Sequence, residues 1–354
     1  MFNKLRAKIL SLKFKFIRRT VIIIFSCWPK DLERAITIGD SLNHILMISP
    51  LRYFLKFKIP KNIHTKLYNL SFPSPLIAAS FKDDISSLYQ WQLVGLGGMT
   101  YKTVLKRPSG GNKRPRIQEI KYNGGYGLIN SLGLPTKGVE HFATHFQNKK
   151  LLSFNRPIGI SIGGNRVEEY LEVFNTINSK VKNASFDQFF YELNISCPNT
   201  DDGKCLSDDM EGLLMLLNKM RESCSNVIVV KVSPDSTQEN MFKICETLID
   251  VDSCAINLGN TKYITAESVG LNKKTFSKDG GGVSGVGLFE TTLRNVELIA
   301  SNFDIPIIAT GGISTHKDVK LVLEKGATLV GMASQLVIDP FQIPQINSKL
   351  SDEK

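Results

Sequence analysis

Eight short apolar runs of β-forming composition recur from residue 74 onward, and most intervals between them carry a helical pattern. The runs are Pro75–Ser80, Gly97–Lys102, Pro157–Gly163, Phe189–Ser196, Val227–Val232, Cys254–Leu258, Pro306–Gly311 and Thr328–Ser334. The helical stretches include Val167–Lys180, Met210–Ser223, Thr237–Ile249, Phe289–Asn302 and His316–Lys325. Strands that alternate with helices form a parallel sheet, because each crossover returns the chain to the same end of it. Eight such units over roughly 270 residues predict an α/β fold, a (β/α)8 TIM barrel. A doubly wound open sheet is the alternative, but no Gly-x-Gly-x-x-Gly follows the first run. The interval Lys102–Arg156 is long for a βα connection and is expected to carry loops of a functional site. Polar residues gather at the run ends, where a barrel places its chemistry: Lys102, Ser161, Asn194, Cys197, Lys231, Asn257 and Gly311.

The 354 residues allow one large domain with an appendage, and the expected division is an N-terminal helical extension over 1–70 and the barrel over 71–354. Net charge is +11, of which residues 1–60 hold +9. The barrel itself is therefore nearly neutral, which argues against nucleic acid as a partner. Residues 1–60 interleave basic and apolar side chains, as in Lys13-Phe14-Lys15-Phe16 and Leu51 to Lys58. Such a segment suits peripheral contact with an anionic membrane surface, apolar groups dipped in; the alternative is a helical cover packed on the barrel with its basic face in water. Val21–Phe25, even extended to Trp28, falls far short of the about 20 residues that a spanning helix needs. No A-x-A-like cleavage site follows it. The cysteines at 27, 197, 205, 224, 245 and 254 form no Cys-x-x-Cys pair or Cys/His cluster, so no metal site is expected and a reducing compartment is. The expected location is the cytoplasm, peripherally on the inner face of a membrane.

Phe189 to Asn199 reads Phe-Phe-Tyr-Glu-Leu-Asn-Ile-Ser-Cys-Pro-Asn. A thiol, Cys197, thus follows a strand end between two carboxamides, Asn194 and Asn199, and Pro198 limits the loop. Amides flanking a thiol suit a site that binds a polar ring while the sulfur moves a proton; a buried structural cysteine is the alternative. Thr310-Gly311-Gly312-Ile313, between a strand and a helix starting near Thr315, lets backbone amides approach a phosphate at a helix N-terminus. Ala333 and Ser334 close the next strand and face the same anion. Gly280–Gly282 and Gly285 permit close approach to a flat ligand, or form a flexible loop. Lys231 ends a valine strand and needs an anionic partner if buried. Lys102 suits a carboxylate, and Asn130 offers both donor and acceptor; surface lysines and a turn asparagine are the plainer readings.

Together these segments, from about Ser71 to Pro340, resemble the dihydroorotate dehydrogenases, flavin enzymes of pyrimidine synthesis. Glu192–Asn199, Asn130–Pro135 with Gly138, and Lys102-Thr103 are similar to the soluble class 1 enzymes, which use a cysteine base; class 2 enzymes have serine at that place. The resemblance implies a barrel holding FMN with dihydroorotate stacked on it. Cys197 then takes a proton from C5 while C6 passes a hydride to the flavin. It further implies that Asn130, Ser131, Leu132, Gly133, Leu134, Asn194 and Asn199 hold the pyrimidine ring and Lys102 its carboxylate. Ala79, Ser80, Lys102, Thr103, Ser161, Asn194, Lys231, Asn257 and Gly282 would meet the flavin, and Gly285, Gly311, Gly312, Ala333 and Ser334 its phosphate. In Asn257-Leu258-Gly259-Asn260-Thr261 the substrate contact falls to Asn257, Asn260 or Thr261. Phe81 stands where the family has a small glycine, and the following Lys82 competes with Lys102 for the carboxylate. Cys205 is an alternative base, as in the related dihydropyrimidine dehydrogenases. Quinone is the preferred electron acceptor, because the N-terminal segment resembles the membrane-associated helices of class 2. Fumarate is what the class 1 motifs suggest, and NAD would require a separate subunit. A tRNA-dihydrouridine synthase-like reductase and a non-redox phosphate-binding barrel such as an isomerase are the competing functions. A homodimer stays open.

Overall fold

The computed structural model describes residues 2–26, 31–196 and 206–353. Helices α1 (Phe2–Ser26) and α2 (Leu32–Ile48) open the chain, followed by the hairpin β1 (Thr65–Leu67) and β2 (Leu70–Phe72). Helix α3 (Ile85–Val94) joins β3 (Leu76–Ala78) to β4 (Gly98–Val104). The next interval holds a second hairpin, β5 (Ile117–Tyr122) and β6 (Gly125–Asn130), then α4 (Val139–His145) and α5 (Lys149–Leu152). There follow β7 (Ile158–Ile162), α6 (Val167–Val181), β8 (Phe189–Asn194), α7 (Met210–Arg221), β9 (Ile228–Val232), α8 (Gln238–Ile249) and β10 (Cys254–Leu258). The pair β11 (Lys262–Thr265) and β12 (Gly280–Gly285) precedes α9 (Phe289–Ala300), β13 (Ile307–Thr310), α10 (His316–Glu324) and β14 (Ala327–Met332). Two helices, α11 (Ser334–Ile338) and α12 (Gln342–Asp352), end the fold.

The eight runs read from the sequence are the eight strands of a closed parallel barrel, in the order β10-β13-β14-β3-β4-β7-β8-β9. Side chains alternate along each strand, so every second residue points into the barrel. At the amino end those inward positions are apolar: Ile77, Phe190, Val229, Ala255, Ile308 and Leu329 form one buried cluster. The β1–β2 hairpin closes that end, adding Leu67, Leu70 and Phe72 to the same cluster. Two residues further along β8, β9, β10 and β13, the inward positions are Glu192, Lys231, Asn257 and Thr310, all buried. The barrel is therefore sealed and dry at its floor and polar at its carboxyl rim.

The long interval after β4 is only partly loop. Strands β11, β12, β6 and β5 form a separate antiparallel sheet in that order, built from insertions that follow the carboxyl ends of β4 and β10. The glycine run expected as a ligand-facing or flexible loop is its strand β12. A Cβ on Gly281 would stand 2.5 Å from the Asn130 carbonyl oxygen, so glycine is what lets β12 lie against β6.

Helices α1 and α2 pack on this sheet. Leu32 and Ala35 meet Leu128, with Val21, Ile22, Ile36 and Ile117 around them. Ion pairs fasten the contact: Arg18–Glu119 at 2.6 Å, Arg114–Asp31 at 2.7 Å and Arg116–Glu33 at 2.9 Å. Asp31 also caps α2, accepting from the Glu33 amide at 3.1 Å. The other face of α1 is open: Leu12, Phe16 and Ile24 are 69%, 73% and 62% exposed. Among the described residues no helix is long and apolar enough to cross a membrane.

Phe72 is fully buried in the floor, edge-on to Phe190 at 6.4 Å between ring centroids. Phe72→Ala is expected to cost about 3–5 kcal/mol in unfolding free energy. Leu12→Ala on the open face of α1 should stay within about 0.5 kcal/mol. Equal losses for the two variants in thermal or urea unfolding would contradict this division of the fold.

Candidate functional site

The polar rim resolves into two connected clusters. One centres on Glu192, an inward-facing carboxylate on β8. Its Oε1 accepts from Ser80 Oγ at 2.5 Å and lies 3.5 Å from Lys231 Nζ, while its Oε2 accepts from Asn257 Nδ2 at 2.9 Å. Lys231 also donates to Ser80 Oγ at 2.8 Å. The anionic partner that Lys231 was expected to find in a ligand is thus partly supplied by the protein. Ser80, Lys231 and Asn257 come from the ends of three different strands, β3, β9 and β10, which the barrel register brings level: Lys231 pairs with Asn194 and with Asn257.

The other cluster runs across β4, β7 and β8. Asn194 Nδ2 donates to Thr103 Oγ1 at 3.0 Å, and Thr103 and Ser161 share a hydrogen bond of 3.0 Å. Asn260 Nδ2 donates to Ser196 Oγ at 2.8 Å and approaches Asn194 Oδ1 at 3.4 Å. Tyr170 on α6 donates to the Asn194 carbonyl at 2.8 Å and anchors the strand end. Asn257 therefore joins the Glu192–Lys231 group and Asn260 joins Asn194, whereas the amide of Thr261 is held by Asn260 Oδ1 at 2.9 Å. Cys197 and Asn199, and the alternative base Cys205, lie outside the described residues. Of the described cysteines, burial pushes Cys245 up to about 12 and Cys254 up to about 11 and raises Cys224. None of these three is poised as a base at neutral pH.

Asn130 ends β6 and donates to the Gly282 carbonyl at 3.2 Å. The segment after it is tied back to the preceding loop: Asn112 donates to the Ser131 carbonyl at 2.8 Å and to that of Leu132 at 2.9 Å. Gly133 and Leu134 follow with φ of 70° and 47°. Leu134 is thus a left-handed residue with a full side chain, a conformation kept only where surrounding contacts impose it. Lys102 Nζ donates to the Pro135 carbonyl at 2.7 Å, so its ammonium borders this loop. Lys82 instead pairs with Asp40 of α2 at 2.5 Å. A cavity of about 510 Å³ opens between α2, α3, α4 and β4, with Met47, Ile85, Tyr89 and Phe142 as apolar walls and Lys102 and Thr103 at one side.

At the rim's far side, Gly312 has φ 72°, and a Cβ there would stand 2.3 Å from the Phe289 amide nitrogen. Only glycine fits this turn. The helix that follows, expected to favour a phosphate, begins with amides that its own side chains engage. A capping box closes α10, and Asp318 Oδ2 already accepts from Ser314 N, Ser314 Oγ and Thr315 N at 3.0, 3.1 and 2.8 Å.

Three residues escaped the sequence reading as site members: Glu192, Ser196 and Thr310. Glu192 had a readable signal, since it is the one charge in an apolar strand and stands two residues before Asn194, on the same face. The rim also has buried polar atoms with no hydrogen bond, Asn257 Oδ1, Thr310 Oγ1 and Ser131 Oγ. Unpaired buried polar atoms are costly. With a cation, carboxamides and a glycine turn beside them, this donor and acceptor set fits FMN. Among the described residues no group of three or more His, Cys, Asp or Glu is placed to hold a metal ion.

Burial pushes the Lys102 ammonium below its ordinary value of 10.5, with Asp83 opposing. The unfolded chain then holds this proton more tightly than the folded one. Stability is held back by the charge at neutral pH and regained as pH rises through the lowered value towards 10.5. Lys102→Met should raise the unfolding midpoint at neutral pH and flatten that alkaline gain. A less stable Met variant would contradict the burial penalty.

A sequence model of the family described as dihydroorotate dehydrogenase matches residues 62–353. Similar curated proteins include the dihydroorotate dehydrogenase B (NAD(+)) catalytic subunits of Bacillus pumilus and Pyrococcus furiosus. The first is 28% identical over 293 residues, 81% of this chain and 90% of the relative. The second is 28% identical over 285 residues, 80% and 90%. Among solved structures, that of DHODH from Eimeria tenella in complex with ferulenol aligns with a TM-score of 0.70 at 18% identity, covering 88% of this chain and 90% of that one. That last likeness is one of fold.

Proposed function

Because the chain belongs to the dihydroorotate dehydrogenase family and is an oxidoreductase acting on CH–CH donors, we propose that it oxidises dihydroorotate to orotate at the carboxyl rim of its barrel, with FMN as cofactor. The observation that carries this reading is the buried group of Lys231, Ser80 and Asn257 around Glu192, a cation, a hydroxyl and a carboxamide, with the acceptor Asn257 Oδ1 left without a hydrogen bond. FMN supplies the hydride acceptor when bound. Lys231, Ser80, Thr103, Ser161 and Asn257 hold its ring, and Gly311, Gly312, Ala333 and Ser334 its phosphate. Asn130, Asn194, Asn199 and the Ser131–Leu134 segment orient the pyrimidine. Lys102 is the better partner for the substrate carboxylate, because Lys82 is already neutralised by Asp40. Cys197, three residues beyond Asn194, removes the C5 proton, which needs little tuning of a thiol whose ordinary pKa is about 8.5. Cys197→Ala should keep bound flavin yet slow its reduction by dihydroorotate by orders of magnitude in anaerobic stopped flow. Unchanged reduction would eliminate Cys197 as the base.

Quinone is the acceptor in this reading, reached from the inner face of a membrane. Its support is helix α1, which holds seven Lys or Arg and no acid and leaves Leu12, Phe16 and Ile24 exposed on its open face, and the cavity beneath α2 with Met47, Ile85, Tyr89 and Phe142 among its walls. Basic and apolar groups on one surface favour an anionic bilayer. The relatives, catalytic subunits of NAD(+)-linked enzymes, favour a second reading, in which electrons pass to NAD through a partner subunit. Leu12→Glu, Phe16→Glu and Ile24→Glu together alter exposed positions and should leave folding intact. They should weaken sedimentation with phosphatidylglycerol vesicles at least tenfold and lower long-chain quinone reduction, while reduction of a soluble dye stays at the parent rate. Equal quinone turnover in parent and variant would remove the membrane role.

A further inference from the structure

The barrel interior contains a carboxylate that the oxidation of dihydroorotate has no direct use for. Glu192 and Lys231 have side chains only 2% and 8% exposed. A buried ion pair is poor evidence of stabilisation, since apolar residues of similar volume often serve the fold as well or better. We propose that Glu192 is a positioning residue that sets the electron affinity of the bound flavin through Lys231 and Asn257. The inference rests on the flavin reading above and assigns this residue a part in it.

Two features of the geometry carry it. First, the contact between the charges is relayed. Lys231 donates to Ser80 Oγ at 2.8 Å, and the Ser80 hydroxyl in turn donates to Glu192 Oε1 at 2.5 Å. The direct Nζ–Oε1 separation is 3.5 Å. An ammonium has three donors, so an arrangement that engages one of them on Ser80 leaves Lys231 able to face a ligand. The carboxylate tempers the positive charge without capturing it. Second, Glu192 dictates which end of the Asn257 carboxamide is left free to accept. An ionised carboxylate only accepts, so its Oε2 at 2.9 Å selects the Nδ2 end of Asn257. The other end, Oδ1, is the buried acceptor left without a hydrogen bond, the polarity that a ring N–H would require. One side chain thereby fixes both the charge and the hydrogen-bonding polarity of the cofactor's surroundings.

The test is the two-electron potential of the bound flavin, measured by anaerobic dye equilibration on the full-length holoprotein. Glu192→Gln removes a negative charge and frees Asn257 to turn over. It should favour the reduced protein about tenfold, an upward shift of about 30 mV. Lys231→Met should shift the potential the other way, and Glu192→Gln should have little further effect in that background, because coupled groups are not additive. Ser80→Ala removes the relay but keeps both charges; direct pairing of Lys231 with Glu192 should then lower the potential. It also serves if Glu192→Gln does not fold. A Glu192→Gln holoprotein with the parent potential, or a shift of the same size with and without Lys231, would overturn the inference alone. A parent protein purified without flavin would overturn the flavin reading as well.

Discussion

A carboxylate at the heart of a parallel barrel survives only when donors converge on it from several directions. Here they come from three strand ends: Ser80 after β3, Lys231 on β9 and Asn257 on β10. That convergence is a product of register, since Asn194, Lys231 and Asn257 stand level across neighbouring strands. A slip of one residue in β8 would turn Glu192 and Asn194 outward and bring Leu193 in. The apolar layer below guards against it, because Phe190 shares the parity of Glu192 and is locked among Phe72, Val229 and Ile308. Floor and site are thus two consequences of one alternation.

The second sheet and the two N-terminal helices extend this arrangement towards the surface. Strand β6 delivers Asn130 and the loop that follows it, and α2 lies across the sheet through Asp31 and Glu33. The same helix lines the cavity whose far side is Lys102 and Thr103. The loop after Asn130, the N-terminal helices and the barrel rim are therefore joined by direct contacts.

The barrel was legible because eight apolar runs with helical intervals admit few topologies, and all eight became barrel strands. The polar run ends were legible too, as residues that break an apolar pattern just where strands stop. The second sheet was not. Its strands are only partly buried and carry no continuous apolar run, and the glycines of β12 read as a loop because they lack the side chains by which a strand is recognised. The partner of Lys231 was sought in a ligand because only pairing across β8 and β9 reveals Glu192 beside it. The capping of α10 by Asp318 was written in Thr315 and Asp318, three residues apart. It was overlooked in favour of the neighbouring glycines.

The account turns on a flavin held at the carboxyl rim and reduced there by dihydroorotate. Its most direct test is an anaerobic titration of the purified full-length protein with dihydroorotate, followed by visible absorption. The structure of the rim predicts a yellow protein whose flavin band bleaches in proportion to the dihydroorotate added. A protein without that band, or with a band that dihydroorotate leaves untouched, would contradict it.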